Sequence, residues 1–125
     1  MRLLLDTQII LWAATGTRRP TEAAREALRS ADAIFVSPLS YAEIGVKASI
    51  GKLEVPHRLE ETMRNYGTRT LPLSPHHGLR VAELPLIHRD PFDRLLIAQA
   101  MEENLTILSS DARFPEYEVS VISAQ

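Results

Sequence analysis

Short apolar runs alternate along this chain with stretches of helical period. Arg2 to Asp6, RLLLD, is an apolar run that ends in an acid, and the amphipathic IILWAA behind it predicts a buried strand leading into a helix. The segment Thr15 to Pro20, TGTRRP, breaks that pattern. Thr21 then opens TEAAREALRSA, a second helix of strong formers with a charged outer face. Ala33 to Val36, AIFV, reads as a second buried strand, which Ser37-Pro38 ends while starting a helix through Leu39 to Ile50. Gly51 closes that helix, and His57 to Tyr66 forms a more polar one whose mixed charges make a solvated face. Thr70 to Leu73 is extended, but Pro72 restricts it to an edge strand or a connection. The strongest helical stretch is HRDPFDRLLIAQA, His88 to Ala100, with Asp90 as N-cap, Pro91 at the first helical position and Asn104 as its stop. Leu105 to Leu108, LTIL, is a third clear strand; Phe114 and Tyr117 pack the loop after it, and Val119 to Ile122, VSVI, is a last strand.

Strands alternating with helices imply right-handed crossovers. The fold class expected is therefore α/β, a three-layer α/β/α sandwich around a mostly parallel sheet of about four to five strands. With 125 residues, 45% hydrophobic and 24% charged, the chain is expected to form one domain over residues 1–125 with a single sizeable core. No linker, repeat, low-complexity tract, membrane-length apolar run or secretory leader is visible, so a cytoplasmic location is expected. The absence of cysteine excludes disulfides, thiolate catalysis and Cys-based zinc or iron-sulfur sites. A net charge of -2 argues against holding nucleic acid by a general basic surface, while leaving local contacts open.

Chemistry enters through four acids. Asp93 falls in line with Leu96, Ile97 and Ala100, so its carboxylate projects along the stripe that should face the core. A bare buried charge is expensive, and Asp93 needs donors or a cation. Asp6 ends the first strand, although it or Thr7 could simply cap the next helix. Glu43 shares a helix face with Leu39, Val46 and Ile50, although Ser40-x-x-Glu43 also has the form of a capping box. Asp111 follows the LTIL strand and Ser109-Ser110, an arrangement that repeats the one at Asp6, although a turn role accounts for it alone. In parallel sheets, ligands bind outside the carboxyl ends of the strands. Asp6 and Asp111 end strands there, and Glu43 and Asp93 are expected in the first turns of helices that begin at the same edge. Four such carboxylates call for a cation, and all-oxygen donors select Mg2+ or Mn2+, ions that characteristically work on phosphate esters. His76-His77 are expected in surface or capping roles, and His88 as structural or touching substrate. Arg89, Arg94, Lys47 and Lys52 either steer phosphate or form surface ion pairs.

LLLDT at the start, SYAEIGVK with the following GKL, RDPFDRLLIAQA and LTILSSDARF stand in an order and spacing that resemble a PIN-domain ribonuclease of the VapC toxin kind. The resemblance covers nearly the whole chain. It implies that Asp6, Glu43, Asp93 and Asp111 are the catalytic acids, with Asp6 and Asp93 holding Mg2+ or Mn2+ and with Glu43 and Asp111 binding directly or through water. Asp90 matches an additional acid of the DPFDR subgroup, and Ser109 falls where the family often has threonine. The resemblance further implies an RNA substrate, a 3'-hydroxyl and a 5'-phosphate as products, a homodimer, and a cognate VapB-like antitoxin that places a basic side chain among the acids. Trp12, Ile9 and Leu53-Glu54-Val55 either line an apolar groove for that partner or, in the case of Trp12, pack the core.

Other classes fit the sequence less well. A phosphoacceptor receiver needs adjacent acids after the first strand, where this chain has Asp6-Thr7, and a dehalogenase-type phosphatase needs Asp-x-Asp, where position 8 is Gln. A non-catalytic PIN-like binding module and a DNA-directed nuclease of the same fold are the surviving alternatives.

Overall fold

The computed structural model describes residues 1–125. The apolar runs pair side by side as one parallel sheet of β1 (Arg2–Leu5), β2 (Ala33–Val36), β3 (Arg69–Thr70), β4 (Thr106–Ser109) and β5 (Val121–Ser123), in the order β3-β2-β1-β4-β5. The order runs one way from β1 to β3 and the other way from β1 through β4 to β5. The reversal lies beside β1, and a crevice at the carboxyl edge is the geometric consequence.

The helices are α1 (Thr7–Thr15), α2 (Glu22–Ser30), α3 (Pro38–Ser49), α4 (Leu59–Asn65), α5 (Pro75–Arg80) and α6 (Pro91–Glu103). Alternate residues of the strands serve opposite faces of the sheet. Leu5 and Leu108 pack with Ile9, Ile10, Trp12, Ile44 and Met63, whereas Leu4 and Ile107 pack with Leu96, Ile97, Ala100 and Phe114. The sheet thus divides the expected single core into two buried clusters, which is the three-layer arrangement. None of the helices is long and apolar enough to cross a membrane.

Several local expectations are corrected. Of the polar helix expected over His57 to Tyr66, only Leu59–Asn65 is helical, and Leu59 and Met63 are buried in the first cluster. Arg58 precedes it in the left-handed region at φ 52°, which ends helical geometry there. The last strand starts at Val121 rather than Val119, and β4 at Thr106 rather than Leu105. The histidine pair lies in α5, which the apolar pattern does not reveal. The roles expected of the pair hold: His76 is exposed at the surface, and His77, though buried, completes a capping box with Ser74. Trp12 packs the core, the alternative expected for it, whereas Ile9, though buried, lines an apolar pocket of about 370 Å³ with Leu5, Leu28 and Met63; Arg18 lies over the Trp12 ring at 4.9 Å.

Caps match the sequence closely. Asn104 ends α6 in the left-handed conformation at φ 54°, and Thr21 starts α2 by accepting from the Ala24 N–H at 3.1 Å. The Thr21 hydroxyl also donates to the Ser123 carbonyl at 3.0 Å, tying α2 to β5. Thr21→Ala is expected to cost about 1 kcal/mol and lower Tm by about 4 °C, as calorimetry would read it.

Candidate active site

Asp6 leaves β1 at the reversal point and is at once a cap and a cleft residue. Its backbone N–H donates to Leu108 at 3.0 Å, and its carboxylate accepts from the Thr7 N–H at 2.7 Å through Oδ1 and from Ser109 Oγ at 2.7 Å through Oδ2. Both expected roles, capping and delivery to the carboxyl edge, therefore coexist. Burial pushes its carboxyl up to about 6; the Ser109 and Thr7 bonds oppose that rise, and the charges of Glu43 and Asp111 add to it. Ser109 is itself buried and also accepts from the Asp111 N–H at 3.0 Å, so one hydroxyl links the acids that follow the two adjacent strands.

Glu43 lies in the second turn of α3, not the first. The helix is capped by Ser37, whose hydroxyl accepts from the Leu39 N–H at 3.1 Å, so Ser40-x-x-Glu43 is not a capping box. Pro38 fixes the start of the helix three residues earlier than a box at Ser40 requires. Glu43 instead accepts from Thr7 Oγ1 at 2.8 Å and from Lys47 Nζ at 2.6 Å. The apolar face assigned to it is also corrected. Val46 and Ile50 are 51% and 64% exposed, while Leu39, Ser40 and Ile44 share its burial.

Asp93 sits in the first turn of α6 as expected, above the buried Leu96, Ile97 and Ala100. Asp90 caps that helix by accepting from the Asp93 N–H at 3.0 Å. His88 Nε2 lies 3.3 Å from Asp93 Oδ2. Burial pushes the Asp93 carboxyl up to about 8, and the charges of Asp6, Asp90, Glu43 and Asp111 reinforce the rise. Asp111 behaves in the opposite way. Arg113 donates to it from Nη2 at 2.7 Å and from Nε at 3.1 Å, and this fork holds the carboxyl below its ordinary value.

These residues line one cleft of about 410 Å³ with Asp6, Glu43, Asp90, Asp93 and Asp111 on its walls, beside Lys47 and Arg113. Only Leu11 and Leu53 supply apolar surface, so the cleft suits a strongly polar ligand. Ser110, one of the hydroxyls expected beside Asp111, also reaches it, as do Thr7, Gln8, Arg113 and Gln125, which were not selected as cleft residues from sequence; the spacing Asp111-x-Arg113 was the signal for Arg113. Of the basic candidates, Lys47 reaches the cleft. Arg94 does neither thing expected of it, because it donates to the carbonyls of Pro85 at 2.9 Å and His88 at 3.2 Å. Arg89 and Lys52 are exposed and join no ion pair.

The donor set fits a hard divalent ion in kind, being all carboxylate and hydroxyl oxygen. Burial raises the carboxyls of Asp6 and Asp93, and no lysine or arginine of the chain pairs with either. In this conformation no three acids converge on a common point. Glu43 and Asp111 are each held by a cation of the chain, Lys47 and Arg113.

This chain belongs to the PIN domain family, which it matches over residues 3–119. It is 25% identical over 114 residues to Ribonuclease VapC22 of Mycobacterium tuberculosis (strain ATCC 25618 / H37Rv), a likeness that spans 89% of this chain and 88% of that protein. Its fold matches that of VapBC2 from Rickettsia felis bound to a DNA fragment from their promoter, with a TM-score of 0.69, 15% identity and 100% of both chains covered. DNA-bound VapBC from Salmonella typhimurium matches with a TM-score of 0.69 at 15% identity, over 100% of this chain and 99% of that one.

Proposed function

We propose that this chain is a divalent-metal-dependent endoribonuclease, the VapC-type toxin of a toxin-antitoxin pair. The observation that carries the reading is the meeting of Asp6, Glu43, Asp93 and Asp111 in one polar cleft at the carboxyl edge of the sheet, with the carboxyls of Asp6 and Asp93 raised chiefly by burial and further by the neighbouring acids. The likeness to a protein named as a ribonuclease supports it. Asp6 and Asp93 would hold Mg2+ or Mn2+ directly, with Glu43 and Asp111 binding directly or through water. Bound there, the ion would supply Lewis-acid polarisation of a phosphodiester and an acidified water.

The chain's own groups do the rest. Ser109 and the Thr7 N–H fix the Asp6 carboxylate, so little reorganisation is needed at the moment of reaction. Lys47 and Arg113 are the cations on the cleft walls, and they draw RNA phosphates toward the acids and offset the added charge. An ionised carboxylate accepts the proton of the attacking water. Attack in line on phosphorus breaks its bond to the 3' oxygen, which leaves a 3'-hydroxyl and a 5'-phosphate.

An acidic cleft of this kind also suits inhibition by a VapB-like antitoxin, whose arginine would occupy the carboxylates bidentately. A homodimer of single-domain subunits acting in the cytoplasm completes the proposal.

Incubation of the purified protein with total RNA and with single-stranded DNA, in Mg2+ or Mn2+ and in chelator, tests this reading. RNA is expected to be cut only with metal and to carry 5'-phosphate ends. Cleavage of DNA with RNA spared would favour the DNA-directed nuclease, and intact nucleic acid throughout would leave the non-catalytic binding module.

A further inference from the structure

Beside Asp93, His88 and Tyr117 are 8% and 3% exposed and in contact. The phenolic oxygen of Tyr117 lies 2.5 Å from His88 Nδ1, 3.3 Å from the backbone N of His88 and 3.3 Å from Arg94 Nη1. The last two groups can only donate. They approach the lone-pair side of the phenolic oxygen, Arg94 Nη1 sharing its two hydrogens among this oxygen and the carbonyls of Pro85 and His88, and the phenolic proton is left with one acceptor, the His88 Nδ1 lone pair. The opposite tautomer would put a third donor on that oxygen and strand a buried hydroxyl proton, which is costly. Neutral His88 therefore carries its proton on Nε2, and Nε2 is the atom facing Asp93 Oδ2 at 3.3 Å.

We infer that His88 is a positioning residue for Asp93: Tyr117 and Arg94 fix its tautomer, and its Nε2–H holds Oδ2 while Oδ1 stays free for the cleft. An imidazole donor behind a carboxylate sets the rotamer of that carboxylate and which oxygen it offers. Arg94 belongs to the same device. It also donates to the carbonyl of Pro85 at 2.9 Å and to that of His88 itself, so the loop carrying His88 is locked to the helix carrying Asp93. The role of His88 in catalysis rests on the proposed metal-dependent cleavage, whereas its tautomer does not.

Two measurements test the inference separately. Nitrogen–proton NMR of ring-labelled histidine, assigned with His88→Gln, is expected to show the Nε2–H tautomer for His88 in the free protein. A predominant Nδ1–H form would overturn the inference whether or not the protein cuts RNA. His88→Asn, which loses the donor at the Nε2 position, is expected to lower kcat and weaken Mn2+ binding about tenfold with little change in KM. His88→Gln keeps a donor near that position and is expected to lose less, and Tyr117→Phe, which frees the ring, to lose about as much as His88→Asn. Equal kcat in His88→Asn and wild type would overturn the inference. If the wild type cuts nothing while the tautomer is as expected, the ribonuclease reading fails and the arrangement of His88 stands.

Discussion

Asp93→Asn is expected to slow metal-dependent RNA cleavage by about a thousandfold, equivalent to about 4 kcal/mol of transition-state stabilisation, while leaving the protein folded. The substitution keeps the shape of the side chain and removes only its charge. The helix start should survive it, because the capping bond runs to Asp90 from the backbone N–H of residue 93, which Asn retains. The metal-free variant is expected to be more stable than wild type above about pH 4, by a margin that grows until about pH 8, since a carboxyl pushed up to about 8 ionises more readily in the unfolded chain. Loss of activity with a raised melting temperature in chelator separates a missing ligand from a damaged fold. Single-turnover cleavage at saturating Mn2+, paired with calorimetry in chelator, reads both.

Stability of the metal-free wild type is expected to fall by about 3 kcal/mol between about pH 5 and pH 8. Asp6 and Asp93 have folded values of about 6 and about 8, both above the ordinary 3.8. Between the unfolded and folded values the native chain binds more protons than the unfolded chain, so unfolding releases protons and stability drops as pH rises. Their contribution is fully present below the unfolded value and is lost as pH climbs through the folded ones. Asp111 works in reverse: Arg113 holds it below its ordinary value, so its contribution is lost as pH falls below about 4. Burial holds His88 below its ordinary value, which adds a smaller opposing slope near and below about pH 6.5. A stability maximum at about pH 4 follows. Urea midpoints in chelator across this range measure it, and a flat or rising profile toward pH 8 would show that the two acids are compensated. Added Mg2+ is expected to restore stability at pH 8, because binding favours the ionised acids.

Much of this was legible along the chain because local signals agreed with one another. AIFV is β2 to the residue, and Asp90, Pro91 and Asn104 bound α6 where their chemistry places them. Asp93 was legible for the same reason, as an acid on an otherwise buried stripe. Glu43 was selected on a stripe that does not exist, since Val46 and Ile50 face outward, yet it reaches the cleft because Thr7 and Lys47 hold it there. Such pairings are tertiary. Thr7 and Glu43 are 36 residues apart, Ser109 and Asp6 are 103 apart, and no spacing rule joins them. Arg94 was misread for a related reason. A cation beside an acidic motif invites a phosphate, whereas this guanidinium is used up on backbone carbonyls that only the folded loop presents. The α5 turn escaped because the Ser74–His77 capping box, rather than apolar period, defines it.

Titration of wild type and Asp93→Asn with Mn2+, followed by the loss of the free-ion electron paramagnetic resonance signal near pH 8, bears most directly on the acidic cleft as a metal centre. Wild type is expected to bind Mn2+ and the variant to bind it at least about tenfold more weakly. Equal binding by the two proteins, or none by either, would contradict the assignment of Asp6 and Asp93 as the residues that hold the ion.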